Sequence, residues 1–310
     1  MIPVYIFTGF LDSGKTSAIK DFLSGMQEKH HKKTLLLVCE EGEEEFDEDE
    51  LKKQDILIRY IDEEQLFTYD YTLALEEETS AECVVVEYNG MWNVNRPRVI
   101  WDPLQIMEIM MVDASTFDMY LSNLKALIAD KIRSAELIMF NRCDDIKEKI
   151  PFYRRSARAL NPKSTIVFRN SSGLIDFDPG DFLPYDPNAD VIEIGDDEFA
   201  AFYIDATEKP DRYVGKEVVF TGMVLKAKEA NDRSFLLGRI AMTCCSEDLS
   251  TFAFICDCDG SLVLNTDEWL TITCIMDKDY SDKYDVWHPV CKVTEISGCE
   301  APEEKIINVT

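Results

Sequence analysis

Gly9-Phe10-Leu11-Asp12-Ser13-Gly14-Lys15-Thr16, entered from the apolar run Val4-Tyr5-Ile6-Phe7, is the stretch on which the fold turns. The spacing Gly-x4-Gly-Lys-Thr between an apolar strand and a helix start is a P-loop pattern, and that context separates it from a chance glycine-rich turn. Its glycines let backbone amides wrap phosphate oxygens, while the helix opening at Lys15 aims the positive end of its dipole at them. Gly9, Asp12, Ser13, Gly14, Lys15, Thr16 and Ser17 are therefore the expected phosphate-binding residues. Lys15 should reach the β and γ oxygens of a nucleoside triphosphate and Thr16 should offer its hydroxyl to Mg²⁺.

Outward from that loop, short apolar runs alternate with longer amphipathic ones, as in a parallel sheet covered by helices. The expected strands are Val4 to Phe7, Thr34 to Val38, Ile56 to Tyr60, Cys83 to Glu87, Ile109 to Val112, Leu137 to Phe140 and Thr165 to Phe168. Helical patterns lie between them at Thr16 to Met26, Glu63 to Glu77, Ser115 to Ile132 and Ile146 to Leu160. The pattern predicts a doubly wound α/β P-loop domain over residues 1–178. The stretch from Glu40 to Glu50 is acidic and of low complexity.

A P-loop needs an acidic residue at the end of another strand to sense metal and γ-phosphate. Cys83-Val84-Val85-Val86 running into Glu87-Tyr88-Asn89-Gly90 supplies it. Glu87 would hold Mg²⁺ through water or orient the attacking water, and the Gly90 amide would turn toward the γ-phosphate; with Lys15 these are the expected catalytic residues. The strand Leu137 to Phe140 runs into Asn141-Arg142-Cys143-Asp144, a variant of the Asn-Lys-x-Asp pattern that reads guanine. The Asp144 carboxylate would accept the guanine N1 and N2 donors, which adenine lacks. Arg142 stands where a lysine stem usually packs along the base. Asn141 and Asp144 could instead form a turn and cap a helix from Asp145.

From Asp176 to Glu198 the sequence turns to Asp, Pro and Gly with little periodicity, which predicts a linker over 179–198. Beyond it five β-rich segments follow closely, at Glu217 to Leu225, Ser234 to Thr243, Thr251 to Asp257, Trp269 to Met276 and Val290 to Ile296. Such spacing over 199–310 predicts a small all-β domain, an OB-like barrel first and a sandwich second.

The chain carries 60 Asp plus Glu against 32 Lys plus Arg, a formal charge of -28. With 21 basic and 36 acidic residues up to position 190, and 11 and 24 after it, both halves are acidic. A polyanion of this strength repels nucleic acid phosphates and anionic lipid, so neither is an expected partner. The opening residues lack a basic n-region, and no run approaches the ~18 apolar residues that cross a bilayer, so a cytoplasmic protein without membrane insertion is expected. Its ten cysteines are then thiols or metal ligands in a reducing compartment.

Pro3-Val4-Tyr5-Ile6-Phe7-Thr8-Gly9-Phe10-Leu11, Glu87-x-x-Gly90 and Val112-Asp113-Ala114 together resemble the CobW family of P-loop GTPases, which are linked to metal-ion delivery and cobalamin synthesis. The resemblance spans roughly residues 2–175. Cys39-Glu40-Glu41-Gly42-Glu43 through Asp47 occupies the place of that family's Asn-Glu-Phe-Gly-Glu switch segment, which implies that Glu40 and Glu43 face Mg²⁺ or a transferred metal. The family's Cys-x-Cys-Cys motif is missing: the corresponding stretch, around Glu64-Gln65-Leu66-Phe67, has no cysteine. The second half, through Phe235-Leu236-Leu237-Gly238-Arg239-Ile240-Ala241-Met242-Thr243-Cys244-Cys245, resembles the C-terminal domain of YcgQ-like proteins, which accompany bacterial membrane permeases.

Seven of the ten cysteines lie after residue 240. Cys244 and Cys245, with Cys256, Cys258, Cys274, Cys291, Cys299 and His288, could bind Zn²⁺ or another transition metal. No Cys-x2-Cys pair exists, and adjacent cysteines on a strand point to opposite faces, so buried packing thiols are the competing reading. The sequence therefore supports a GTP-binding switch with slow Mg²⁺-dependent hydrolysis. Two other readings stand beside it: a nucleotide-bound scaffold for a permease or metalloprotein, and a metal carrier using the C-terminal cysteines.

Overall fold

Val84, Val85 and Val86, each fully buried, form the middle of a strand with no solvent face, so their side chains must be met by helices on both sides. In the computed structural model, which describes residues 2–42, 44–176, 179–227, 232–243, 248–258 and 262–309, that is what surrounds them. The order through this half is β1 (Val4–Thr8), α1 (Lys15–His30), β2 (Thr34–Val38), α2 (Glu48–Lys53), β3 (Ile56–Tyr60), α3 (Tyr69–Thr79), β4 (Cys83–Glu87) and α4 (Arg96–Ile100). It continues with β5 (Ile106–Asp113), α5 (Phe117–Asn123), α6 (Lys125–Ser134), β6 (Leu137–Asn141), α7 (Ile150–Leu160), β7 (Thr165–Asn170) and β8 (Gly173–Leu174). The sheet order is β3-β2-β4-β1-β5-β6-β7-β8, parallel except for the β7–β8 pair.

Alternation along each strand splits the core in two. On one face Phe7, Leu36, Val38 and Val85 cluster with Ile19, Leu23 and Met26 of α1. On the other, Ile6, Leu35, Leu37, Val84 and Val86 cluster with Leu75 of α3 and Ile100 of α4. The expected doubly wound arrangement is therefore present. The long pattern from Ser115 to Ile132 divides at Leu124, where α5 ends and α6 begins. The acidic stretch is more than a solvated run. Asp47 caps α2, accepting from the Glu50 amide at 3.0 Å, with Glu48, Asp49 and Glu50 in the first turn and Lys52 and Lys53 in the last, each complementing the helix dipole.

By its contacts the chain divides into two units, one of Met1–Ile150 with Leu160–Asp176, the other of Pro151–Ala159 with Phe177–Thr310. The second holds β9 (Val191–Ile194), α8 (Phe199–Glu208), β10 (Glu217–Lys226), β11 (Ser234–Met242), β12 (Leu249–Asp257), β13 (Trp269–Ser281), β14 (Val286–Gly298) and β15 (Ile306–Asn308). The five expected β segments correspond to β10 to β14. They pair in a circuit, β10-β11-β12-β14-β13 and back to β10, with β12 and β14 parallel. Two features differ from the sequence reading. Val191–Ile194, inside the stretch read as linker, adds a strand parallel to β10. A helix, α8, follows where no helical period was evident, because seven of its ten residues are buried, which erases the polar stripe. Its Phe199 and Phe202 pack on Phe220 and Phe254 in the core of this unit.

Candidate nucleotide-binding site

The loop after β1 ends at Gly14, whose φ of 91° puts it in the left-handed region at the N-cap of α1. A Cβ there would lie 2.6 Å from Asn141 Nδ2, so only glycine lets Asn141 sit against the loop. Ser13 Oγ is buried without a hydrogen-bond partner among the described residues. A buried hydroxyl left in this state is a donor waiting for a ligand oxygen, which fits a phosphate. Lys15 is buried: its ammonium donates to the carbonyls of Gly9 at 3.1 Å and Phe10 at 2.9 Å, and forms an ion pair with Glu40 at 2.5 Å.

Strand register delivers the acidic partners. β1 and β4 run parallel with Phe7 opposite Glu87, and β2 lies on the other side of β4 with Val38 opposite the same residue. Thr16 Oγ1 donates to Glu87 Oε1 at 2.7 Å. Neighbouring ligands of an octahedral Mg²⁺ lie about 2.9 Å apart, from metal–oxygen bonds of about 2.0–2.1 Å, so these two oxygens fit a shared ion. Burial pushes the Glu87 carboxyl above the usual carboxylate range, and the Thr16 hydroxyl partly offsets this. The Gly90 amide donates to Glu40 Oε1 at 3.4 Å. Asp12, Ser17 and Arg142 also line the open cleft that holds Lys15, Thr16, Glu40 and Glu87. Glu43, expected beside them, lies outside the described residues.

At the base end, Asn141 Oδ1 accepts from the Arg142 amide at 3.0 Å, and Arg142, at a φ of 57°, turns its guanidinium onto Asp113. Asp144 does not cap a helix. The next element is a single 3₁₀ turn at Lys147–Lys149 with Ile146 at its N-cap. The Asp144 carboxylate instead accepts from the Ser171 hydroxyl at 2.5 Å and the Ser171 amide at 3.1 Å, which holds it below the usual carboxylate range and keeps it ionised. Ser171 is the contributor that the sequence reading missed. Its only signal was a position just after the last parallel strand.

Lys131 of α6 is a second omission. Its ammonium is fully buried and contacts Thr8 Oγ1 at 3.3 Å, at the start of the loop. Burial pushes it down to about 8, against the pull of Glu108. Below pH 8 the folded state holds a desolvated charge that the unfolded chain solvates freely, so Lys131 costs stability there. Between about 8 and the ordinary lysine value of about 10.5 the unfolded chain binds the extra proton and the penalty fades. Lys131→Met is expected to stabilise the fold by roughly 1–3 kcal/mol at pH 7. Urea melts from pH 7 to 10.5 should show that gain shrinking once the pH passes about 8.

In the second unit, Cys244 and Cys245 lie outside the described residues. Cys256, Cys274 and Cys291 are buried together in its core, with Cys291 Sγ 3.5 Å from Met276 Sδ. Burial holds the Cys291 thiol well above its ordinary value, so it stays protonated. Among the described residues no group of three or more His, Cys, Asp or Glu side chains is disposed to hold a metal ion. These thiols pack as small hydrophobes.

A phosphate loop, an acidic strand end and an Asn-x-x-Asp turn thus meet at the carboxyl edge of one parallel sheet. Residues 3–168, more than half of the chain, match the family described as CobW/HypB/UreG, nucleotide-binding domain. The chain belongs to this family. Residues 182–307 match a second family, the DUF1980 C-terminal domain. Among solved structures, the CobW/HypB/UreG half is similar to the hydrogenase maturation factor HypB from Archaeoglobus fulgidus, at 14% identity over 55% of this chain and 82% of that one, with a TM-score of 0.42. It is also similar to HypB from Helicobacter pylori in complex with nickel, at 14% identity over 57% and 80% with a TM-score of 0.38. MinD from Aquifex aeolicus follows at 10% identity over 54% and 81%, with a TM-score of 0.36. No curated protein matches the chain. No helix among the described residues is long and apolar enough to cross a membrane.

Proposed function

We propose that this CobW/HypB/UreG member is a GTP-binding protein whose slow, Mg²⁺-dependent hydrolysis works as a regulatory or metal-homeostasis switch. The observation that carries the reading is the Asn141–Gly14 contact, which joins the base-reading turn to the phosphate loop, with Asp144 held ionised beside it by Ser171. Amides at the start of α1, the Ser13 hydroxyl and the Lys15 ammonium would bind the phosphates. Thr16 and Glu87 would hold Mg²⁺, which when bound neutralises charge on the transferring phosphoryl group. Glu87 would orient the attacking water, its buried carboxylate accepting a water proton, and the Gly90 amide would face the γ-phosphate. The 182–307 half is the part we assign to a protein partner, a permease or a metalloprotein.

Guanine offers a carboxylate the adjacent N1 and N2 donors, where adenine has an acceptor at N1, so base choice tests the reading. Asp144→Ala is expected to weaken GTP binding roughly 10- to 100-fold while leaving ATP binding as it was. Competition between the two nucleotides on wild type and variant reads this directly. A wild type that prefers ATP, or a variant with unchanged preference, would sink the GTP assignment.

A further inference from the structure

The Lys15 ammonium donates hydrogen bonds to the carbonyls of Gly9 and Phe10 and forms an ion pair with a third group, the carboxylate of Glu40. The charge that would face a phosphate oxygen is neutralised by that carboxylate. Two of these three groups are backbone of the loop itself and cannot leave without refolding it. The third is the tip of a flexible side chain just beyond β2. Glu40 also accepts from the Gly90 amide, so one carboxylate spans the two donors that a γ-phosphate would take, 2.5 Å from Lys15 Nζ and 3.4 Å from Gly90 N. It is anionic, planar and mostly buried, and its nearest charged partner is the phosphate-binding lysine.

We propose that Glu40 is an internal surrogate for the γ-phosphate, a latch that fills the terminal phosphate position until a nucleoside triphosphate expels it. This rests on the GTP reading above. A nucleoside diphosphate leaves the γ position and the Gly90 amide untouched and can bind through the loop amides with the latch in place, giving up only the Lys15 contact to its β oxygens. A triphosphate must first break the Glu40–Lys15 pair and free the Gly90 amide, so its affinity is reduced by the fraction of molecules that are unlatched. The latch therefore biases the protein toward the diphosphate state, and its displacement couples the segment after β2 to the identity of the nucleotide.

Glu40→Gln keeps the shape but removes the charge that holds Lys15. Glu40→Asp keeps the charge but is one methylene too short to span both donors. Without Mg²⁺, the GTP-to-GDP affinity ratio, read by fluorescence titration with labelled nucleotides, is expected to rise about tenfold in Glu40→Gln. It should rise in Glu40→Asp as well. Glu41→Gln, which removes the same charge from an exposed neighbour, should leave the ratio where wild type has it. A ratio unchanged in both Glu40 variants, or raised equally in Glu41→Gln, overturns the latch while leaving GTP binding intact. Failure of wild type and variants alike to bind either nucleotide overturns the GTP reading and the latch with it.

Discussion

Lys15→Ala is expected to weaken GTP binding by at least about a hundredfold. The ammonium is buried at the floor of the cleft and would make charge-assisted hydrogen bonds to phosphate oxygens, each typically about 1.5–3 kcal/mol. Loss of the one donor that Glu40 releases, at the upper end of that range, reaches that factor before the loss of the buried charge facing the phosphates is added. Among the described residues the other cations near the cleft are engaged elsewhere, Arg142 with Asp113 among them. Lys131 is buried against Thr8 on another helix and Lys20 pairs with Glu44 at the rim. The substitution also leaves Glu40 buried without its partner, so circular dichroism on the same sample must accompany the titration. A folded variant with unchanged GTP affinity would remove Lys15 from the binding machinery.

Gly9→Ala carries the largest expected effect on stability. Gly9 has a φ of 139°, a region open in practice only to glycine, and an added Cβ would lie 2.2 Å from the Met111 carbonyl oxygen and 2.8 Å from Ser13 Oγ. The first of these neighbours is backbone of the adjacent strand β5, which cannot step aside without disturbing its pairing with β1. Strain and overlap together predict a loss of about 3 kcal/mol or more, and for a chain near ordinary marginal stability that is a visible fraction of unfolded protein. Chemical denaturation reads it. A midpoint within error of wild type would mean that the β1–β5 edge yields more easily than its buried packing indicates.

Much of this site was legible because the chemistry forces it into short sequence patterns. Gly14, Lys15 and Thr16 are consecutive, and Glu87 and Asn141 each close a short apolar run of the kind that alternates with helical patterns in a parallel sheet. What was not legible depends on which strands lie side by side. The order β2-β4-β1-β5-β6 brings Glu40, Glu87 and Asn141 to one edge, and no local pattern encodes that order. Ser171 meets Asp144 across 27 positions, and Lys131 meets Thr8 across 123. In the second half the short strand Val191–Ile194 was hidden among Pro, Asp and Gly. The helix Phe199–Glu208 was hidden because Phe-Ala-Ala-Phe-Tyr-Ile is apolar all round.

The measurement that bears most directly on the central claim is calorimetric titration of GTP, with and without Mg²⁺, into wild type and Lys15→Ala side by side. The structure predicts one GTP per wild-type chain, tighter with Mg²⁺ because Thr16 and Glu87 offer it ligands, and a Lys15→Ala isotherm at least about a hundredfold weaker. Equal isotherms for the two proteins, or no heat of GTP binding to wild type, would contradict it.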